Sequence, residues 1–328
     1  MPDIKVAVLD KFHPHIKAAI AAAVPGDWTV RFVEENSLAA RAAVLHDAEL
    51  AFVMAAPVPK ELLAEAKQLR FLQKLGAGID RIDLDTCRRQ GIAVARLHAG
   101  NSIPVAEHTI LLMLATYRRL PQIDCRTRAG AWSKEDARGE HRQLYGKTVG
   151  LVGFGAVGKE VAKRLRCFGV KILYYDPARA APDVEQALDV QHSELDALLR
   201  AADIVSLHLP LMPQTVGFIS SKRIRAMKAG AVLINCARGG LVDEEALAAA
   251  LKEGRLFGAG IDAFAREPPV DSELLALDNT VVTSHLAGAT LDNFAGVVAR
   301  GVENAKAVLR GEPLTKTDEV LAPAGAVV

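Results

Sequence analysis

Three side chains that can move protons or grip anions stand just beyond apolar, strand-forming runs: Arg238, Glu267 and His285. Arg238 closes the stretch Ala231-Val232-Leu233-Ile234-Asn235-Cys236-Ala237 and is followed by Gly239-Gly240. A guanidinium is a planar fork that matches a carboxylate. Glu267 lies in DAFAREPP, residues 262–269, after the run Phe257–Ile261. His285 sits in Thr283-Ser284-His285-Leu286-Ala287-Gly288, after Val281–Thr283. Imidazole titrates near neutrality, which suits acid–base work. A carboxylate beside an imidazole favours its charged form and orients the ring. Taken singly, Arg238 reads equally as a surface strand end, Glu267 as proline-turn chemistry and His285 as a core histidine. Taken together they place Arg, Glu and His at three strand ends of one parallel sheet, where ligands bind.

A second cluster supports that reading. Gly153-Phe154-Gly155-Ala156-Val157-Gly158 follows the apolar run Thr148–Val152 and opens a helical stretch, Val157–Phe168. GxGxxG is weak alone but meaningful between strand and helix. Gly153 permits a tight turn, Gly155 lets a pyrophosphate approach the backbone, and Gly158 lets helix pack on strand. The helix N-terminus then offers free N–H groups and a positive dipole end. The next run, Val170–Tyr175, ends in Asp176, 18 residues beyond Gly158. A carboxylate there accepts from ribose hydroxyls and repels a 2′-phosphate, so NAD is expected over NADP. Arg179, three residues on, is the one sequence feature against that expectation.

The elements that must position these groups alternate. Apolar runs at Lys5–Leu9, Thr29–Val33, Leu50–Met54, Phe71–Leu75 and Ile92–Ala95 are separated by helical stretches such as His15–Val24 and Lys60–Lys67. Later runs are Thr148–Val152, Lys171–Tyr175, Ile204–Leu207, Ala231–Asn235, Phe257–Ile261 and Val281–Thr283. Near-continuous apolar strands alternating with helices predict an α/β protein with parallel sheets covered on both faces. The 328 residues suggest two domains. Ser102 and Pro104 mark a helix start near residue 100, and the helix over 103–119 is apolar nearly all round, as between domains or subunits. Lys316–Val328 is small and polar, and is expected to fray.

Composition excludes several classes. Forty basic and 39 acidic residues leave a charge of +1, which argues against a nucleic-acid or membrane-surface binder. The apolar segment Ile110–Ala115 is too short to span a bilayer, and the N-terminus has no secretory pattern. Cys87, Cys125, Cys167 and Cys236 are scattered, with no metal spacing, so free thiols in a reducing cytoplasm are expected and no metal site. His98, His108, His141 and His192 lack chemical neighbours in sequence and read as structural. Trp132 reads as packing near a domain or subunit contact.

On the motifs GxGxxG, ARGG, EPP and SHLAG, the chain resembles the D-isomer-specific 2-hydroxyacid dehydrogenases, a family with phosphoglycerate, glycerate and glyoxylate/hydroxypyruvate members. The resemblance runs from Gly76-Ala77-Gly78-Ile79-Asp80 to Gly288. It implies two Rossmann-like, doubly wound domains: a substrate domain of residues 1–100 plus 289–328, and an inserted NAD-binding domain of residues 101–288. It implies an NAD-dependent exchange of a 2-oxo acid and a D-2-hydroxy acid in a homodimer. His285 would be the acid/base, Glu267 its partner and Arg238 the clamp on the substrate carboxylate, which the amides at Ala77 and Gly78 would also reach. Asp262 would meet the nicotinamide carboxamide. His208, Pro210, Thr215 and Ala237 would line the cofactor, and Asn101, Ser102 and Glu107 would mark the interdomain helix, Glu107 in a structural role. Phosphoglycerate members commonly carry Arg-Ser where this chain has Ala55-Ala56, so a small unphosphorylated acid is expected, with D-3-phosphoglycerate as an alternative. The length leaves no room for the regulatory C-terminal domain of some members. A dinucleotide-sensing corepressor is the other alternative; a formate dehydrogenase is disfavoured, since such members resemble a pattern with Gln at position 267.

Overall fold

The computed structural model describes residues 4–132 and 134–322. In chain order its strands are β1 (Ile4–Val8), β2 (Trp28–Phe32), β3 (Leu50–Val53), β4 (Phe71–Lys74), β5 (Ala93–Arg96), β6 (Thr148–Val152), β7 (Lys171–Tyr175), β8 (Val190–His192), β9 (Ile204–Leu207), β10 (Val232–Asn235), β11 (Gly258–Ile261), β12 (Thr280–Val282) and β13 (Glu319–Leu321). The chain divides into two compact units. One takes the chain up to Asn101 and again from Thr290; the other is Ser102–Ala289.

The first unit holds a six-stranded sheet of order β13-β5-β4-β3-β1-β2. Its strands are parallel except β13, which runs antiparallel to β5. The second unit holds a seven-stranded, wholly parallel sheet of order β12-β11-β10-β9-β6-β7-β8. Each sheet has an apolar cluster on both faces, so β3, β9, β10 and β11 are buried at every position. Burial on both faces is why their sequences read as unbroken apolar runs rather than as alternation.

Two strands escaped the sequence reading. β8 is three residues long and half-buried, so its hydrophobic signal is slight. β13 falls within the segment expected to fray: Glu319–Leu321 instead closes the edge of β5. Buried Asp318 anchors it, accepting from the His98 amide at 2.9 Å and from both Nη2 contacts of Arg300 at 2.7 Å. Residues 323–328 of that segment lie outside the described residues. The long apolar helix is Ser102–Tyr117, and Ser102 is its first residue rather than a cap preceding it. It packs on β10 and β11 within the second unit, where a Cβ at Gly260 would stand 2.9 Å from Leu112 Cβ.

Both sheets reverse their winding once, where the first strand of the unit meets a later one: β1 beside β3, and β6 beside β9. At such switch points the loops leaving adjacent strands diverge to opposite faces and open a crevice at the carboxyl ends.

Candidate active site

The glycine turn occupies the switch point of the second unit. Gly153 follows β6 with φ +99°, a left-handed conformation suited to glycine. A Cβ there would stand 2.6 Å from the His208 carbonyl oxygen, beyond β9. A Cβ on Gly158 would stand 2.5 Å from Gly153 O, which is why strand and helix approach so closely. Gly155 differs: it caps the helix Ala156–Leu165, and a Cβ there would meet no protein atom within 4 Å. Its missing side chain therefore serves nothing inside the protein and leaves room for a ligand at the helix N-terminus.

Asp176 stands just past β7 and accepts the Phe154 amide at 2.8 Å and the Ala178 amide at 3.0 Å. The carboxylate is thereby held beside the glycine turn. Arg179 does not join it. Its Nε and Nη2 each donate to Glu185 at 2.9 Å, and these bonds, with one from Tyr174, hold the Glu185 carboxyl down at about 2. Glu185 thus stays ionised at working pH and is the partner that Arg179 meets. His208 follows β9, its ring nitrogen Nε2 3.0 Å from Ser206 Oγ. Burial pushes that imidazole down to about 3.

Arg238, Glu267 and His285 all fall beyond strand ends of the same sheet, after β10, β11 and β12. Glu267 Oε1 lies 2.6 Å from His285 Nδ1. The pair is neither buried nor free in solvent, at 23% and 39% side-chain exposure, so a substrate can reach the ring. His285 has φ +54°, rare for a residue with a side chain. Asp262 explains how it is held. Its carbonyl oxygen accepts from the His285 amide at 2.7 Å, Oδ1 from the Leu286 amide at 2.9 Å and Oδ2 from the Ala287 amide at 3.0 Å. Thr283 Oγ1 also donates to Oδ1 at 2.6 Å, and His108 Nε2 sits 3.0 Å from that hydroxyl. Wholly buried Asp262, expected against the nicotinamide, is thus first the builder of the His285 turn.

Asn235, the last residue of β10, was not singled out in sequence. Its Nδ2 donates to Arg238 O at 2.8 Å and its Oδ1 accepts the Ala237 amide at 3.1 Å, so it folds the turn that presents Arg238. A buried Asn one residue inside an apolar strand was the available signal. Thr215, expected to line the cofactor, turns its hydroxyl inward: it donates to Pro210 O at 2.7 Å and accepts the Met212 amide at 2.8 Å. That closes the loop after β9, with Pro210 exposed on it.

In the first unit, Gly76-Ala77-Gly78 follows β4, with Ala77 and Gly78 half-buried. The switch point of that unit is occupied by the protein itself. Asp10, beyond β1 and 8% exposed, accepts the amides of Met54, Ala55 and Ala56, the latter two at 2.7 Å.

Residues 110–287 match the family model described as D-isomer specific 2-hydroxyacid dehydrogenase, NAD binding domain. The chain is 39% identical over 258 residues to D-3-phosphoglycerate dehydrogenase of Methanocaldococcus jannaschii, covering 78% of this chain and 48% of that one. It is 39% identical over 241 residues to hydroxypyruvate reductase of Thermotoga maritima, covering 73% and 77%. D-Lactate dehydrogenase of Aquifex aeolicus, solved with NAD and lactic acid, superposes with TM-score 0.85 at 29% identity over 97% of this chain and 99% of that one. The chain spans about half the length of the phosphoglycerate dehydrogenases it matches. It belongs to the D-isomer specific 2-hydroxyacid dehydrogenases, and residues 110–287 are its NAD-binding domain. Among the described residues, no helix is long and apolar enough to cross a membrane.

Proposed function

We propose that the protein is an NAD-dependent oxidoreductase that interconverts a 2-oxo acid and its D-2-hydroxy acid. The observation that carries this reading is the Glu267–His285 pair at 2.6 Å, in the same unit as the glycine turn. The open space at Gly155, the adjoining helix N-terminus and Asp176 fit a dinucleotide. The segment Gly153, Phe154, Gly155, Ala156, Val157 and Gly158 would hold its pyrophosphate, and Asp176 its ribose hydroxyls. Pro210 and Ala237 would border it. Bound NAD(H) supplies or accepts the hydride at the substrate's C2.

His285 gives a proton to the carbonyl oxygen in reduction and takes it back in oxidation. Nδ1 faces Glu267, which leaves Nε2 for the substrate. Glu267 keeps the ring oriented. Arg238 binds the substrate carboxylate and polarises the adjacent carbonyl. A small unphosphorylated acid, such as glyoxylate or hydroxypyruvate, is favoured because Asp10 already takes the Ala55 and Ala56 amides.

The functional form is a homodimer and its compartment the cytoplasm. Leu111 and Leu120 are 50% exposed and Trp132 is 85% exposed, which leaves apolar surface on the second unit for a second copy. Light scattering that returned a monomer would remove this part of the reading.

NADH oxidation against glyoxylate, hydroxypyruvate, phosphohydroxypyruvate, pyruvate and phenylpyruvate tests the activity. One unphosphorylated acid should be turned over well. His285→Asn should lower turnover about 1000-fold with NADH binding retained. Binding of NADH without turnover of any acid would point instead to a dinucleotide-sensing protein.

A further inference from the structure

The loop that carries Glu267 is gripped from behind by a second carboxylate. Consecutive amides of one turn bind two different acids: Phe264 N–H donates to Glu267 Oε1 at 3.3 Å, and Ala265 N–H donates to Glu244 Oε1 at 2.6 Å. Glu244 opens the helix Glu244–Lys252, whose cap, Asp243, is engaged with the Ala246 amide at 3.0 Å. The same peptide is pressed by the Arg238 turn, since a Cβ on Gly239 would fall 1.8 Å from Phe264 C. The turn is thus met by both the Arg238 loop and the Glu244 helix, and the same loop carries Glu267, paired with His285.

We propose that Glu244 is a positioning residue for the Glu267–His285 pair. It fixes the turn through the Ala265 amide, and with it the seat of Glu267 beside His285. The inference rests on the reading of His285 as the acid/base. Glu244 is half-buried, and burial, then the nearby charge of Glu267, push its carboxyl up, as expected of two acids sharing one turn. Glu267 is the acid facing Glu244 across the turn, and His285 stands behind Glu267. Arg266, on the same loop, pairs with Asp271 at 3.2 Å on the exposed side.

Two variants separate the hydrogen bond from the charge. Glu244→Ala removes both, and should lower kcat about 10-fold with NADH affinity unchanged, the scale expected of a displaced acid/base. Glu244→Gln keeps an acceptor for the Ala265 amide and removes the charge. It should recover most of kcat. Hydrogen exchange of residues 262–267 reads the grip without turnover: faster in Glu244→Ala, and as in the parent in Glu244→Gln. A variant that merely loosened the fold would lower thermal stability, and the acceptor restored in Glu244→Gln would not bring kcat back. Parent-like kcat in both variants, or a kcat as low in Glu244→Gln as in Glu244→Ala, would overturn the inference while leaving the proposed activity intact. An inactive parent would remove the proposed activity; the exchange experiment would then decide, and equal protection in all three proteins would overturn the grip as well.

Discussion

At the switch point of the first unit, β1 runs into Asp10, whose carboxylate collects the three amides of residues 54–56. At the switch point of the second, β6 runs into Gly153, and the helix that follows opens on empty space at Gly155. Both sheets are wound the same way about these points. In one, the chain supplies its own anion. In the other, the proposed function leaves the place for a phosphate from outside. The winding creates an anion site; the residue at the end of the first strand decides whether the protein or a ligand fills it.

Substitutions at the two points sharpen that contrast. Gly155→Val places a branched side chain where no protein atom lies, at a backbone angle, φ −75°, that valine accepts. The protein should fold, with Tm lowered only slightly because valine is a poorer helix cap than glycine, and lose NADH affinity about 1000-fold, or about 4 kcal/mol. Titration calorimetry that found parent-like affinity would break the comparison at its root. Asp10→Ala leaves three amides of the first unit without their acceptor. Chemical denaturation should register a loss of about 3 kcal/mol, since unsatisfied buried donors are costly. The Kd for NADH should not move; a parallel loss of NADH binding would mean that the two switch points are not independent.

Smaller effects test how the second unit chooses its dinucleotide. Asp176→Ala should weaken NADH about 10-fold, the scale of one charge-assisted hydrogen bond, and narrow the gap to NADPH. Arg179→Ala should change either affinity by no more than about 2-fold, because its exposed pairing with Glu185 contributes little. Selective loss of NADPH binding in that variant would show that Arg179 leaves Glu185 to read a 2′-phosphate.

The glycine turn, Asp176 and the strand ends bearing Arg238, Glu267 and His285 were legible because each is a local pattern. Strand, turn and helix follow one another within a few residues, and the residue types needed are written at fixed spacing. Asp10, Glu244 and the His108–Thr283–Asp262 chain were not legible. Asp10 meets partners 44 to 46 residues away, Glu244 meets Ala265 at 21, and His108 meets Thr283 at 175. An aspartate after a strand, a glutamate opening a helix and a histidine inside one are all ordinary in sequence. β13 was hidden for the same reason, since its pairing with β5 depends on a segment some 220 residues earlier, tied through Asp318 to His98.

The order of strands and helices, the glycine turn and the chemistry available at three strand ends were determined by the sequence itself, because periodicity and turn chemistry act over short range. That Asp10 and Asp262 hold the chain together was decided by tertiary structure. A carboxylate has the same acceptors wherever it stands, and only the amides and cations that folding brings beside it, as for Asp10, Asp262 and Glu267, set its role.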